Sequence, residues 1–448
     1  MIKRLLIILP QLGGGTTRHA REMSMSWMKQ GVDVIYLETI GDFVLIKNIL
    51  EDNICVFDLR NNKKNLIEYL KGNVQLIHYH HFIRMNSFWL ELPYILRVPY
   101  YVTLHDYYTV CPSIKMLRNG TFCNNCSVVI CNRCIENNFI DVYGKIGEVP
   151  FNINRWRNKW RHWLRNAEKI FVPSKNAKEN IIKYFPDIEI EIFSNPELIK
   201  MKKIQYNDVK QDDVKVGLVG DITPPKGADI LVSVANLLCN DNNIVFYVFG
   251  SLKSSFKSPK NIKIMGRYNE NDVSEQIRKE HINYFWFPAI WPETYSYTLT
   301  IPLLLGLPVI GADIGAIGER IKKNCVGEVY NPKISIKELS SLVKNFNAKK
   351  YICAAQKYKP EVVEFPNVCN FYDKYVDADQ IATRNKKVSK CFNFEVCGNV
   401  NVTEFRKIFK CKIGLVWKIK LIKRVEIRCI IGMFLYKFMH IFNLYDRK

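Results

Sequence analysis

The chain has 448 residues, 48% hydrophobic and 24% charged, with a net charge of +22. That length exceeds the ~250–300 residues at which one core stops growing, so a single small module is excluded and two domains plus an extension are expected. The composition excludes a disordered or fibrous chain, and the charge calls for an anionic partner: phosphates, nucleic acid or an acidic membrane surface.

Lys3 and Arg4 precede the apolar run Leu5–Leu9. The run is short for a signal peptide and lacks a small-residue cleavage site, so it reads as a buried first strand. No run reaches the ~18 apolar residues of a membrane span. A cytosolic location is expected, with the 14 cysteines as thiols or metal ligands. A turn at Gly13-Gly14-Gly15 and a helix from Thr17 to Lys29 follow. Val32–Leu37, Val74–His78, Tyr100–Leu104 and Lys169–Val172 read as strands with helical stretches between several of them. After the polar stretch Lys200–Asp213 the pattern restarts. Strands are expected at Val214–Val219, Ile244–Phe249, Ile262–Met265, Ile282–Pro288 and Pro308–Ile310, and helices at Ala228–Leu238 and Thr298–Leu305. This alternation predicts an α/β chain with two parallel, Rossmann-like sheets. The expected division is 1–205 (first Rossmann-like domain), 212–360 (second Rossmann-like domain), 361–383 (a crossover back to the first domain) and 384–448 (a basic tail).

Three segments lie between a strand and a helix, where amide groups and the helix dipole favour a phosphate. One is the glycine turn, which has Arg18 where a dinucleotide fingerprint would end in glycine, and which otherwise reads as a plain tight turn. The second, Gly220-Asp-Ile-Thr-Pro-Pro-Lys226-Gly227, sets a cation at a helix start. It suits a diphosphate, or a solvated surface lysine. The third, Pro288–Leu299, carries Glu293 before an apolar helix, either as a cap or as a grip on sugar hydroxyls.

The motifs GDITPPKG and PETYSYTLTIPLLLGLPVIGADIGAIGER, within 215–321, resemble the donor-binding domain of glycosyltransferase family 4, the retaining two-Rossmann (GT-B) class. LPQLGGGTTRHARE, IHYHHF, VTLHDYYTVCP and IFVPSKNAKENI resemble a branch acting in bacterial surface-polysaccharide assembly. The resemblance covers about residues 1–380. It implies that Lys226 holds the donor diphosphate, that Glu293 binds the donor sugar as the first glutamate of a Glu-x7-Glu motif, and that His105 faces that sugar. It places Gly14 and Gly15 near the donor phosphates, with the backbone of Tyr297, Thr298 and Leu299 reaching the diphosphate. Two departures stand out. Ile301 occupies the position of the second glutamate, which normally binds the ribose, and the arginine that usually precedes the lysine is absent. The expected partners are a nucleotide-sugar donor and a glycan or lipid-linked acceptor, with no cofactor for catalysis.

Cys123, Cys126, Cys131 and Cys134, with Cys111 upstream, form a doubled CxxC. They read as a structural zinc site or as thiols in a loop. Asp377 and Asp379 imitate a metal-binding pair outside either motif region. Trp156, Trp160 and Trp163 share one helical stripe that faces either the core or a membrane or acceptor surface. From Arg384 on, sixteen basic residues oppose four acidic ones, and apolar residues from Phe405 to Leu421 recur at helical spacing. That suits an interfacial helix on an anionic membrane, or packing on the body or on a second subunit. A catalytically silent relative, favoured by Ile301, is one rival reading. A nucleic-acid binder is another, opposed by the concentration of charge in the tail and the lack of an RNA-binding signature, so nucleic acid is not an expected partner.

Overall fold

The computed structural model describes residues 4–9, 14–40, 42–48, 53–71, 73–83, 85, 87–124, 126–138, 150–205, 214–241, 243–268, 272–372 and 393–396. The chain divides into two units that are discontinuous in sequence. The first comprises Met1–His105, Arg161–Phe171 and the chain from Phe365; the second comprises Asp106–Trp160 and Val172–Glu364.

The first unit is built on a sheet that includes, in spatial order, the strands Lys169–Val172, Tyr100–Thr103, Leu76–Tyr79, Arg4–Ile8, Asp33–Ile40, Phe43–Asn48, Asn53–Asp58 and Asn393–Val396. Most neighbours are parallel, as the alternating pattern predicts. Phe43–Asn48 is antiparallel to both of its neighbours. The reason is length: Ile40 and Phe43 are separated by two residues, enough for a hairpin and far too few for a parallel crossover. Strand Asn393–Val396 pairs with Asn53–Asp58, so part of the segment expected as tail extends this sheet. The predicted tail helix, the Asp377/Asp379 pair and Gly13 lie outside the described residues.

The first helix, Gly14–Lys29, buries Ala20, Met23, Trp27 and Met28. Near the other end of the described chain, Phe371 and Tyr372 pack on Trp27, with ring centroids 5.0 and 4.9 Å away.

The second unit has six parallel strands in the order Ile262–Gly266, Ile244–Leu252, Val214–Ile222, Tyr284–Phe287, Val309–Ala312, Gly327–Tyr330. Apolar clusters cover its two faces. One gathers Leu299, Ile301, Leu303 and Leu305; the other gathers Leu231, Val234, Phe246 and Trp286. Both faces are buried, which is why the strands are near-continuous apolar runs.

The tryptophan stripe lies on helix Ile153–Leu164. Trp160 and Trp163 are buried, so they pack inward. Trp156 Nε1 donates to the Tyr108 carbonyl at 3.1 Å, and Trp163 Nε1 to the Leu90 carbonyl at 2.9 Å. Among the described residues no helix is long and apolar enough to cross a membrane.

Candidate active site

In each sheet the chain order reverses beside the first strand. In the second unit, Val214–Ile222 sits between Ile244–Leu252 and Tyr284–Phe287. Crossovers leaving on opposite faces open a crevice at the carboxyl ends of these strands, the usual ligand position in such sheets. Lys226 and Glu293 both follow those ends.

Lys226 closes a single turn, Pro224–Lys226, ahead of helix Ala228–Leu237. Gly227, at φ 83°, completes it, and a Cβ there would lie 2.0 Å from the Pro288 carbonyl oxygen. The loops after the two strands therefore touch backbone to backbone, and the Ile290 amide donates to the Pro225 carbonyl at 3.0 Å. Lys226 Nζ and Thr298 Cγ2 lie 3.9 and 2.8 Å from the point where a Gly220 Cβ would stand. Cation, glycine and helix start thus border the same small space.

Helix Tyr297–Leu305 begins after Ser296, a non-glycine residue at φ 69°, ψ 84° whose side chain makes no cap bond to the helix. The first amides of a helix have no intrahelical acceptor. Of the three residues singled out, Tyr297 and Thr298 occupy that first turn. The Leu299 amide donates to the Ser296 carbonyl at 3.2 Å, and its side chain is fully buried. Glu293 is buried, with its carbonyl accepting from the Ala316 amide at 2.8 Å. The residue before it is pinned too, because Tyr107 Oη donates to the Pro292 carbonyl at 2.9 Å. Ile301 is buried within an apolar cluster and offers nothing to a ribose.

Two features escape sequence reasoning. Lys115 lies close enough to Lys226, Glu293 and Asp106 to feel their charges. Burial pulls its ammonium below the ordinary lysine range, repulsion from Lys226 adds to this, and Glu293 and Asp106 pull it back. A second cation, supplied by a distant loop, therefore lies within electrostatic reach of Lys226 and Glu293.

The second feature is a buried ion pair, Glu197–Arg320, beneath the Ser296 loop. Glu197 Oε1 accepts from Tyr295 Oη at 2.8 Å and Thr300 Oγ1 at 3.0 Å, and Oε2 accepts from Tyr358 Oη at 2.8 Å. Arg320 donates to the Ser296 carbonyl at 3.0 Å and lies over the Tyr295 ring at 4.5 Å. Burial works against its charge, but Tyr295, Glu197 and Tyr358 outweigh burial and hold the guanidinium above its ordinary range.

In the first unit, Gly14 and Gly15 open the first helix just past strand Arg4–Ile8, with φ 69° at Gly14 and open space on its Cβ side. His105 follows strand Tyr100–Thr103 and meets His80, whose Nδ1 is 3.1 Å from His105 Nε2. The histidines of IHYHHF separate by role. His78 bonds Tyr372 Oη (2.7 Å) and Thr103 Oγ1 (2.8 Å), and burial, followed by the charge of His105, pushes its pKa down to about 3. His81 Nδ1 accepts the amides of Phe82 and Ile83.

Cys111, Cys123, Cys126, Cys131 and Cys134 line one cavity with Arg157. Burial pushes the thiols of Cys111, Cys123 and Cys131 up. Cys131 Sγ is 3.8 Å from the Cys126 carbonyl and 3.9 Å from an Arg157 nitrogen.

Residues 13–196 match the model of Glycosyltransferase Family 4, and residues 200–359 match that of Glycosyl transferases group 1. The fold is shared with the Anabaena protein Alr3699/HepE, crystallised with UDP: TM-score 0.52, 13% identity, 85% of this chain and 97% of that one. It is also shared with the lipopolysaccharide outer core galactosyltransferase WaaB: TM-score 0.50, 13% identity, 83% and 99%. No curated protein matches at a significant level. The architecture is GT-B, as the motifs imply.

Proposed function

Because the chain belongs to glycosyltransferase family 4, we propose that it moves a sugar, with retention, from a nucleotide-diphosphate donor to a membrane-associated or polysaccharide acceptor. The observation that carries this is the crevice of the second unit, where Lys226, Thr298 and the Gly220 backbone converge beside Glu293 and Lys115. Bond cleavage leaves charge on the departing diphosphate. Lys226, Lys115 and the amides of Tyr297 and Thr298 are placed to stabilise it, and such preorganised charge is usually the largest single contribution to catalysis. Glu293 accepts hydroxyl hydrogen bonds from the donor sugar. Its burial strengthens those bonds and makes an unfilled site costly. His105 of the first unit is assigned to the donor sugar by family resemblance alone. Ile301 leaves ribose recognition to other groups.

Alr3699/HepE was crystallised with UDP, which makes uridine diphosphate sugars the first donors to try. In a thermal-shift screen, the true donor at about 100 Kd adds about 2.7 kcal/mol of stability. The buried, apolar Ile301 also favours a second reading, a silent relative serving as a partner subunit. Transfer of sugar from the stabilising donor supports the enzyme, and stabilisation with no turnover on any glycan or lipid-linked acceptor supports the silent relative. No stabilisation by any nucleotide sugar overturns both donor assignments.

A further inference from the structure

The transfer reading leaves two buried imidazoles in the first unit, His19 and His80, unused, and both stand beside His105. His19 projects from the first helix, His80 follows strand Leu76–Tyr79, and His105 follows strand Tyr100–Thr103. Their rings close a triangle. Centroids are 5.7 Å apart for His19–His80, 5.0 Å for His19–His105 and 5.4 Å for His80–His105. One ring nitrogen from each lies within 4.8 Å of the other two, and no other group of three His, Cys, Asp or Glu among the described residues meets this condition.

A four-coordinate ion with metal–nitrogen bonds of about 2.0–2.1 Å sets its ligands roughly 3.3 Å apart. His80 Nδ1 and His105 Nε2, at 3.1 Å, are already at that spacing. His19 must close a gap no larger than roughly 1.5 Å, within reach of a side-chain rotation. His19 and His80 are buried, which favours the neutral imidazole, the form that carries a lone pair for a metal.

We propose that His19, His80 and His105 bind one transition-metal ion of the zinc class through three imidazole nitrogens, with a fourth position open. The donor set decides the class. Three nitrogens and no carboxylate suit zinc, cobalt, nickel or copper, whereas magnesium and calcium demand oxygen. All three ligands belong to the first unit, so the site is separate from the cysteine cavity of the second. His105 is shared with the transfer reading, but the test reads the metal's own absorption and does not depend on turnover.

The full chain, stripped with a chelator, is titrated with cobalt(II) alone. The expected result is one equivalent of visible d–d absorption in excess of any that carries the near-ultraviolet charge-transfer band of thiolate ligation, and zinc abolishes it. His19→Gln and His80→Gln, each checked for folding by circular dichroism, are expected to weaken cobalt binding at least 10-fold, since losing even an outer-shell partner of a ligand costs about 10–100-fold. His162→Gln, an exposed-helix histidine outside the cluster, keeps it. Folded wild type that develops no such absorption overturns the proposal. So does an absorption that survives unchanged in both folded cluster variants.

Discussion

Arg320→Met removes one half of the pair beneath the Ser296 loop. The side chains of Glu197 and Arg320 are 5% and 12% exposed, so the carboxylate left behind cannot be rehydrated. Removing one partner of a buried pair costs about 3–5 kcal/mol. Glu197 keeps three hydroxyl donors from Tyr295, Thr300 and Tyr358, so the cost should fall near about 3 kcal/mol. The loop suffers separately. Ser296 is held at φ 69°, a conformation costing of order 1–3 kcal/mol for a non-glycine residue. Arg320 fastens its carbonyl. Once released, Ser296 can relax and take the Tyr297 and Thr298 amides with it, and a displacement of ~1 Å can cost ~10² in rate. Urea midpoints and donor kcat/KM are measured for Arg320→Met, Glu197→Gln and the double variant. Expected are a stability loss in each single variant, a double variant less destabilised than the two losses added together, and a fall in kcat/KM beyond that of a comparably destabilised variant elsewhere. Arg320→Lys does not rescue, since a single ammonium cannot span the carboxylate and the carbonyl. Strictly additive losses, or wild-type stability and turnover in Arg320→Met, would refute the reasoning.

Lys115→Ala is expected to lower donor kcat/KM by up to roughly 10²–10³, the cost of a lost charge-stabilising donor. The Lys115 pKa is lowered, so its charge is lost as pH rises through a value below that of an ordinary lysine, and activity falls there; Lys115→Arg, which keeps its charge, extends the alkaline limb upward. If Cys123, Cys126, Cys131 and Cys134 hold a structural zinc, elemental analysis of a His80→Gln chain still finds about one zinc per molecule, and metal-free protein of unchanged stability contradicts that. The positive segment from Arg384 is expected to bind anionic liposomes in a salt-sensitive way, at about 1 kcal/mol per basic residue near the surface. Deleting it should abolish pelleting, and pelleting that persists removes the tail from that role.

What could be read in the sequence is what local order carries. Lys226 and Glu293 were accessible because each follows an apolar strand and precedes a helix, and the sheet order then brings those two strand ends side by side. The strand pair Phe43–Asn48 and Asn53–Asp58 was missed although FVLIKN and NICVFD are apolar runs separated by four residues, a hairpin spacing that a search for parallel units passes over. Other features have no local signature. Glu197 and Arg320 are 123 positions apart. Lys115 sits in a loop with no periodicity, and only the fold brings its charge to Lys226. His80 looked like one more letter of IHYHHF. Its neighbours have ring nitrogens bonded elsewhere, His78 to the distant Tyr372 and Thr103 and His81 to the Phe82 and Ile83 amides, which sets His80 apart only in three dimensions. Ile301 was legible as a departure, and burial supplies its physical sense, since the helix face it occupies is core.

The central claim is that Lys226 and Glu293 divide the donor between them, diphosphate to one and sugar to the other. Calorimetric titration of the nucleoside diphosphate, paired with a transfer assay on the same preparations, tests this directly. Glu293→Gln should bind the free nucleotide like wild type and lose transfer. Lys226→Ala should weaken nucleotide binding and lower turnover by roughly 10²–10³. Nucleotide binding that fails in Glu293→Gln and persists in Lys226→Ala would contradict the account.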